Sequence, residues 1–181
     1  ELTSACVEQA VCHTGVCRAE CDSTCAQGTC TQVPTGPSVD TVVKVFAAAD
    51  SETPTAENDD RGADLSPDER LFSKIELTVS DLPEEHRTAF FVVVTPYPGS
   101  GGGPYELWVT HQQGAGNRIS EVEPNDARDA SAQAINATAN VVVRAELGSN
   151  ETDVFLLSIP AQVAIVSIET RPAHSGVCIQ E

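Results

Sequence analysis

Glu121-Val122-Glu123-Pro124-Asn125-Asp126 gathers four oxygen-rich side chains into six residues around a proline, a turn that no strand or helix runs through unbroken. On its C-terminal side, residues 141–147, 153–159 and 163–169 alternate or run apolar at strand length. On its N-terminal side, residues 41–46, 72–79, 89–95 and 105–110 do the same. Turn residues separate these short runs and no substantial helix lies between them. The pattern therefore predicts an all-β protein, a β-sandwich, in place of an α/β fold. One short helix is expected over 127–134, with Asp126 as its N-cap. The glycine-rich segment 96–104 is expected to be a hairpin loop joining 89–95 to 105–110. Trp108, alternating with Leu107, is assigned to the core.

Four regions follow: a cystine-rich loop (1–38), a strand-bearing region (39–111), a polar linker (112–120) and a second strand-bearing region opening at the acidic turn (121–181). The 181 residues carry a net charge of −17 with only two lysines, Lys44 and Lys74. Such a surface repels nucleic acid and anionic membranes and attracts cations. No apolar run approaches the roughly 20 residues that span a bilayer, so membrane insertion is not expected. The chain lacks methionine, as a processed or excised piece of a longer product would.

Seven cysteines are present: Cys6, Cys12, Cys17, Cys21, Cys25, Cys30 and Cys178. The first six crowd into 25 residues, a density that points to an oxidising compartment and an extracellular or cell-surface location. Zinc sites usually contain a tight Cys-x-x-Cys pair, and none occurs here, so disulfides are the expected chemistry. The histidines, His13, His86, His111 and His174, belong to no His-Glu-x-x-His or Gly-x-Ser-x-Gly pattern, and no catalytic residue is assigned.

The acidic turn, followed by Thr152-Asp153-Val154-Phe155 and Val166-Ser167-Ile168-Glu169-Thr170, resembles the opening half of the bacterial pre-peptidase C-terminal domain. That family is a jelly-roll-like β-sandwich of secreted proteases and other exported proteins, related to collagenase collagen-binding domains. The resemblance implies an all-β, jelly-roll-like antiparallel β-sandwich with a disulfide-rich loop here. Pieces resembling its closing half, Asp40-Thr41-Val42, Asn58-Asp59-Asp60, Phe72-Ser73-Lys74-Ile75 and Gly103-Pro104-Tyr105-Glu106-Leu107, stand before the opening half, so the order is permuted. Two arrangements are open. Residues 39–111 complete 121–181 within one chain, or each half is completed by another copy, head to tail, in a fibre or tandem array.

Calcium takes six to eight oxygens, and the acidic turn offers several. The resemblance implies a calcium set of Glu121, Glu123, Asn125, Asp126 and Asp153. It departs from the family at Glu151, where an aspartate is usual. Asn58-Asp59-Asp60 reads as a turn. The resemblance also implies that Cys178 lies beside the cystine-rich loop, which leaves one of seven thiols free or bonded outside the chain. The expected function is that of a non-catalytic secreted structural protein. It would be a filament or repeat subunit whose partners are copies of itself, held by complementation, disulfides and calcium. The alternative is an accessory domain of a secreted hydrolase that docks on protein or polysaccharide.

Overall fold

Alternation decides which side chains meet between the sheets: Val43 and Val45, then Phe90, Val92 and Val94, then Tyr105, Leu107 and Val109 are each fully buried, while their neighbours in sequence face outward. The computed structural model describes residues 11–13, 16–18, 29–34, 39–60, 71–112 and 116–179. They fall into two units, Ser38–Pro172 and a second formed by Glu1–Pro37 with Ala173–Glu181.

In the larger unit, β4 (Thr41–Phe46), β5 (Ala56–Asn58), β7 (Ala89–Pro96), β10 (Gln133–Asn136) and β12 (Asp153–Ser158) form one sheet in the order β10-β12-β7-β4-β5. The second sheet contains β6 (Lys74–Thr78), β8 (Gly103–Thr110), β9 (Asn117–Ser120), β11 (Val141–Leu147) and β13 (Ile165–Pro172), in the order β6-β13-β8-β11-β9. The sheets pack face to face over one core that includes Phe72, Phe90, Tyr105, Phe155 and Ile168. The protein is an all-β sandwich, as the sequence predicts. Burial of each large apolar side chain contributes roughly 1.5–3 kcal/mol.

The sandwich is mixed, however, and not purely antiparallel: β10 lies parallel to β12, and β9 parallel to β11. From β9 onward successive strands change sheet, so each pair is joined by a path through the opposite sheet. Parallel pairing requires such a crossover. Residues 112–120, expected to be a linker, supply β9 at the sheet edge. The segment 96–104 is also not a hairpin loop, because β7 and β8 belong to different sheets. It crosses between them, tethered where the Tyr97 N–H and the Ser100 hydroxyl donate to the Asp40 carbonyl.

The two strand-bearing regions interleave within the chain. β12 pairs with β7, which also pairs with β4. β13 lies between β6 and β8, paired to both.

No helix forms over 127–134. Asp129 accepts hydrogen bonds from the Ser131 N–H and hydroxyl, both at 2.7 Å, a local arrangement that competes with helix. Arg128 is drawn onto the first sheet, its guanidinium 3.7 Å from the Phe46 ring centre and 2.8 Å from the Ser51 carbonyl. Among the described residues the helical segments are the 3-10 turns Val79–Asp81 and Glu84–His86.

Trp108 is not in the core. Leu107 takes the inward position, and period 2 leaves Trp108 half-buried on the outer face of the second sheet. Arg171 lies 4.1 Å over its ring, and Arg118 lies 5.8 Å from the ring centre. The buried Glu106 accepts from the indole N–H at 3.0 Å and from Arg118 at 2.7 Å.

In the smaller unit, β1 (Val11–His13), β2 (Val16–Arg18), β3 (Thr29–Pro34) and β14 (His174–Ile179) pair antiparallel in the order β1-β2-β14-β3. The region expected to be a loop thus contributes three strands, and the last strand of the chain joins it instead of the sandwich.

Three fully buried hydroxyls join the two sheets. Thr170 Oγ1, on β13, accepts from the Ser73 N–H at 2.8 Å and lies 2.7 Å from Thr41 Oγ1, on β4. Thr170→Val keeps the shape but leaves the Ser73 N–H unpaired, a cost of about 1–3 kcal/mol. Urea denaturation should show that loss, whereas the exposed Thr78→Val should stay within about 0.5 kcal/mol of wild type. Equal effects of the two would refute the buried-hydroxyl account.

Candidate functional site: an acidic cleft at one end of the sandwich

The acidic turn continues β9 and is tied to β11 and β12. The Glu121 N–H donates to the Arg144 carbonyl of β11 at 2.8 Å, and the Asn125 carbonyl accepts from Val154 of β12 at 2.8 Å. Glu121 Oε2 accepts from the Glu146 N–H at 3.0 Å, and its Oε1 from Asn125 Nδ2 at 2.9 Å. Glu123 Oε2 accepts from the Asn125 N–H at 3.0 Å. These bonds orient the carboxylates toward one another despite their mutual repulsion.

Asp153, the first residue of β12, is fully buried beneath the turn, and Tyr105 donates its hydroxyl to Asp153 Oδ2 at 2.5 Å. Carboxylate oxygens of Glu121, Glu123 and Asp153 lie within 4.8 Å of one another, and Glu123, Asp126 and Glu151 form a second such group. The two groups share Glu123. Above them opens a cleft of about 510 Å³ lined by Glu121, Glu123, Glu146 and Glu151, with Gly102 and Gly103 along one side. A Cβ on Gly102 would stand 2.1 Å from the Leu147 carbonyl oxygen, so only glycine allows this approach.

Two buried oxygens here have no hydrogen-bond partner, Asp153 Oδ1 and Asn125 Oδ1. An unpaired buried acceptor is costly and uncommon. The electrostatics carry the same tension. Burial pushes the Asp153 carboxyl up to about 8; the Tyr105 hydrogen bond opposes the rise, and the charges of Glu121 and Glu123 add to it. Burial and the charge of Glu121 likewise raise the Glu123 carboxyl from its ordinary value. Tyr105 is held well above its ordinary value by burial and by Asp153.

The donor set fits a hard cation: both groups consist of aspartate and glutamate alone, and the orphaned amide oxygen of Asn125 lies beside them. Of the residues expected from the sequence, Glu121, Glu123 and Asp153 converge, Asn125 bonds to the first two, and Asp126 joins the second group. Glu151 and Tyr105 are additions. Glu151, read from sequence as a departure from the expected pattern, lies beside Glu123 and Asp126 and also accepts from the Gly148 N–H. Tyr105 enters the sequence reading only within Gly103-Pro104-Tyr105-Glu106-Leu107, with no role at the acidic turn. Elsewhere, Asn58 Oδ1 accepts from the Asp60 N–H at 2.7 Å, the turn expected there. Cys12, Cys17, Cys30 and Cys178 lie on strands, while Cys6, Cys21 and Cys25 lie outside the described residues.

Comparison with family models, with curated proteins and with solved structures gave no match.

The raised carboxyl of Asp153 gives the metal-free protein a definite pH response. Its folded value of about 8 exceeds the ordinary 3.8, so the native state holds a proton that the unfolded chain releases. That contribution to stability is complete below about pH 4 and is lost as pH rises through 8. In chelator, the urea midpoint of the wild type should fall between pH 5 and pH 9, and more steeply than that of Asp153→Asn. Parallel curves for the two proteins would show that Asp153 titrates normally.

Proposed function

We propose that Ser38–Pro172 is a non-catalytic accessory module of an exported protein, a β-sandwich whose acidic end is organised by a bound calcium ion. The observation that carries this reading is the pair of buried, partnerless oxygens, Asp153 Oδ1 and Asn125 Oδ1, beside converging carboxylates. Glu121, Glu123, Asp153 and Asn125 would hold the ion, with Asp126 and Glu151 adding negative charge. A divalent cation supplies the missing partners and offsets the burial and mutual repulsion that raise the carboxyls of Asp153 and Glu123. It would also draw the turn and β12 together, since each holds part of the site. The resemblance to the pre-peptidase C-terminal domain supports an exported setting, where calcium is plentiful enough for weak oxygen sites to fill.

The pairing pattern favours a self-contained module over the head-to-tail filament. In a filament, β12 would exchange β7, and β13 would exchange β6 and β8, for their counterparts in a neighbouring copy, yet both pair with strands of their own chain. The module is therefore expected to be monomeric in solution.

Calcium titrated into chelator-stripped protein should give saturable heat. At a concentration 100-fold above its dissociation constant it adds about 2.7 kcal/mol, a rise in melting temperature on the order of 5–10 °C. Asp153→Asn combined with Glu121→Gln should abolish both signals, and sedimentation should report one copy. A wild-type protein that melts at the same temperature in calcium and in chelator would end the metal reading. A species that grows in calcium would restore the filament.

A further inference from the structure

Four of the seven cysteines fall on one line across the smaller sheet. Cys12 of β1 is opposite Cys17 of β2, Cys17 is opposite Cys178 of β14, and Cys178 is opposite Cys30 of β3. Residues directly opposed across antiparallel strands share a face of the sheet, with Cβ atoms about 4.5–5.5 Å apart, closer at positions that are not hydrogen bonded. Disulfides need Cβ atoms about 3.5–4.5 Å apart, so the two kinds of position are not equivalent.

The register tells them apart. Opposed residues in an antiparallel ladder alternate between hydrogen-bonded and non-hydrogen-bonded pairs. His13 is opposite Val16 with two residues between them, the spacing of a tight hairpin whose flanking pair is hydrogen bonded. The next pair, Cys12 with Cys17, is then non-hydrogen-bonded. A strand residue directs its N–H and C=O to the same side, so Cys17 bonds toward β14, and the pair Cys17 with Cys178 is hydrogen-bonded. By the same step Cys178 with Cys30 is non-hydrogen-bonded.

The geometry points to two cross-strand disulfides, Cys12–Cys17 and Cys30–Cys178, in place of the central pairing Cys17–Cys178. The first fastens one hairpin. The second joins the N-terminal region to the final strand and encloses all of Ser38–Pro172 in a covalent ring. A single thiolate-bound metal ion does not fit the row. Three strand spacings of about 4.8 Å put its ends about 14 Å apart, whereas every sulfur of a zinc site lies about 2.3 Å from the ion.

Each bond forms by exchange with a small-molecule disulfide, RSSR, of the oxidising compartment. One cysteine thiolate attacks RSSR and releases RS⁻, and its partner's thiolate then displaces the second RS⁻. Two thiols lose two protons and two electrons, which leave as two RSH.

The full chain, made in an oxidising compartment or refolded with oxidised and reduced glutathione, is alkylated and digested with trypsin and glutamyl endopeptidase without reduction. Fragment 9–18, which carries Cys12 and Cys17 alone, should be two hydrogens lighter than its reduced form. The fragment carrying Cys178 should be joined to one carrying Cys30, with the bond located at Cys30 and not at Cys21 or Cys25. Cys17→Ser provides an independent reading: alkylation should label Cys12 and leave Cys178 protected. Labelling of Cys178 in that variant, a Cys17–Cys178 crosslink in the wild type, or four free thiols at these positions would overturn the proposal.

Discussion

The sandwich depends on β13 fitting between β6 and β8, and on β7 receiving β12 on one edge and β4 on the other. Without residues 121–172, β6 and β8 would be left with open edges and β7 with one unpaired side. Without residues 39–111, β12 and β13 would lose their antiparallel partners. Each region presents backbone donors and acceptors that only the other satisfies, and unpaired edges of this kind invite association with other chains. Because the two sets of strands alternate across the second sheet, neither region forms a stable half by itself. The inter-sheet hydroxyl cluster of Thr41, Ser73 and Thr170 draws on both regions as well, two residues from the first and one from the second.

The same interleaving produces the acidic cleft. Glu121 and Glu123 follow an edge strand of one sheet, Asp153 opens a central strand of the other, and Tyr105 reaches Asp153 from between them. Carboxylates so placed repel one another, and the hydrogen bonds from Asn125, Glu146 and Gly148 hold them in position. Burial magnifies the conflict at Asp153, because desolvation penalises its charged form. A cluster of like charges placed in this way carries an electrostatic cost. At Trp108, by contrast, arginines of the same sheet neutralise Glu106 and cover the ring, so that face is satisfied by its own residues.

Much of this was legible locally. Seven runs of strand length were recognisable from alternation, and Glu121, Glu123, Asn125, Asp126 and Asp153 were recognisable as oxygen donors. The strands missed, β5, β9, β10 and those of the smaller sheet, are short or polar and hold their form through partners, with little contribution from their own apolar content. The helix expected over 127–134 failed for the opposite reason: a fair local signal was overridden by Arg128 reaching Phe46 and Ser51, contacts distant in sequence. Trp108 was misplaced because alternation says that two neighbours face opposite ways without saying which one faces in.

By itself, then, the sequence determined the class of fold and the presence of a carboxylate-rich turn, because composition and period-2 burial are local properties of a strand. Only the tertiary structure decided which strands of the two regions become neighbours and that Glu151 and Tyr105 belong to the cleft. It alone also set Cys12, Cys17, Cys178 and Cys30 in a single row. Alternation tells a strand which face to bury but not which neighbour to take. The choice of neighbour comes from the sum of contacts over the whole core.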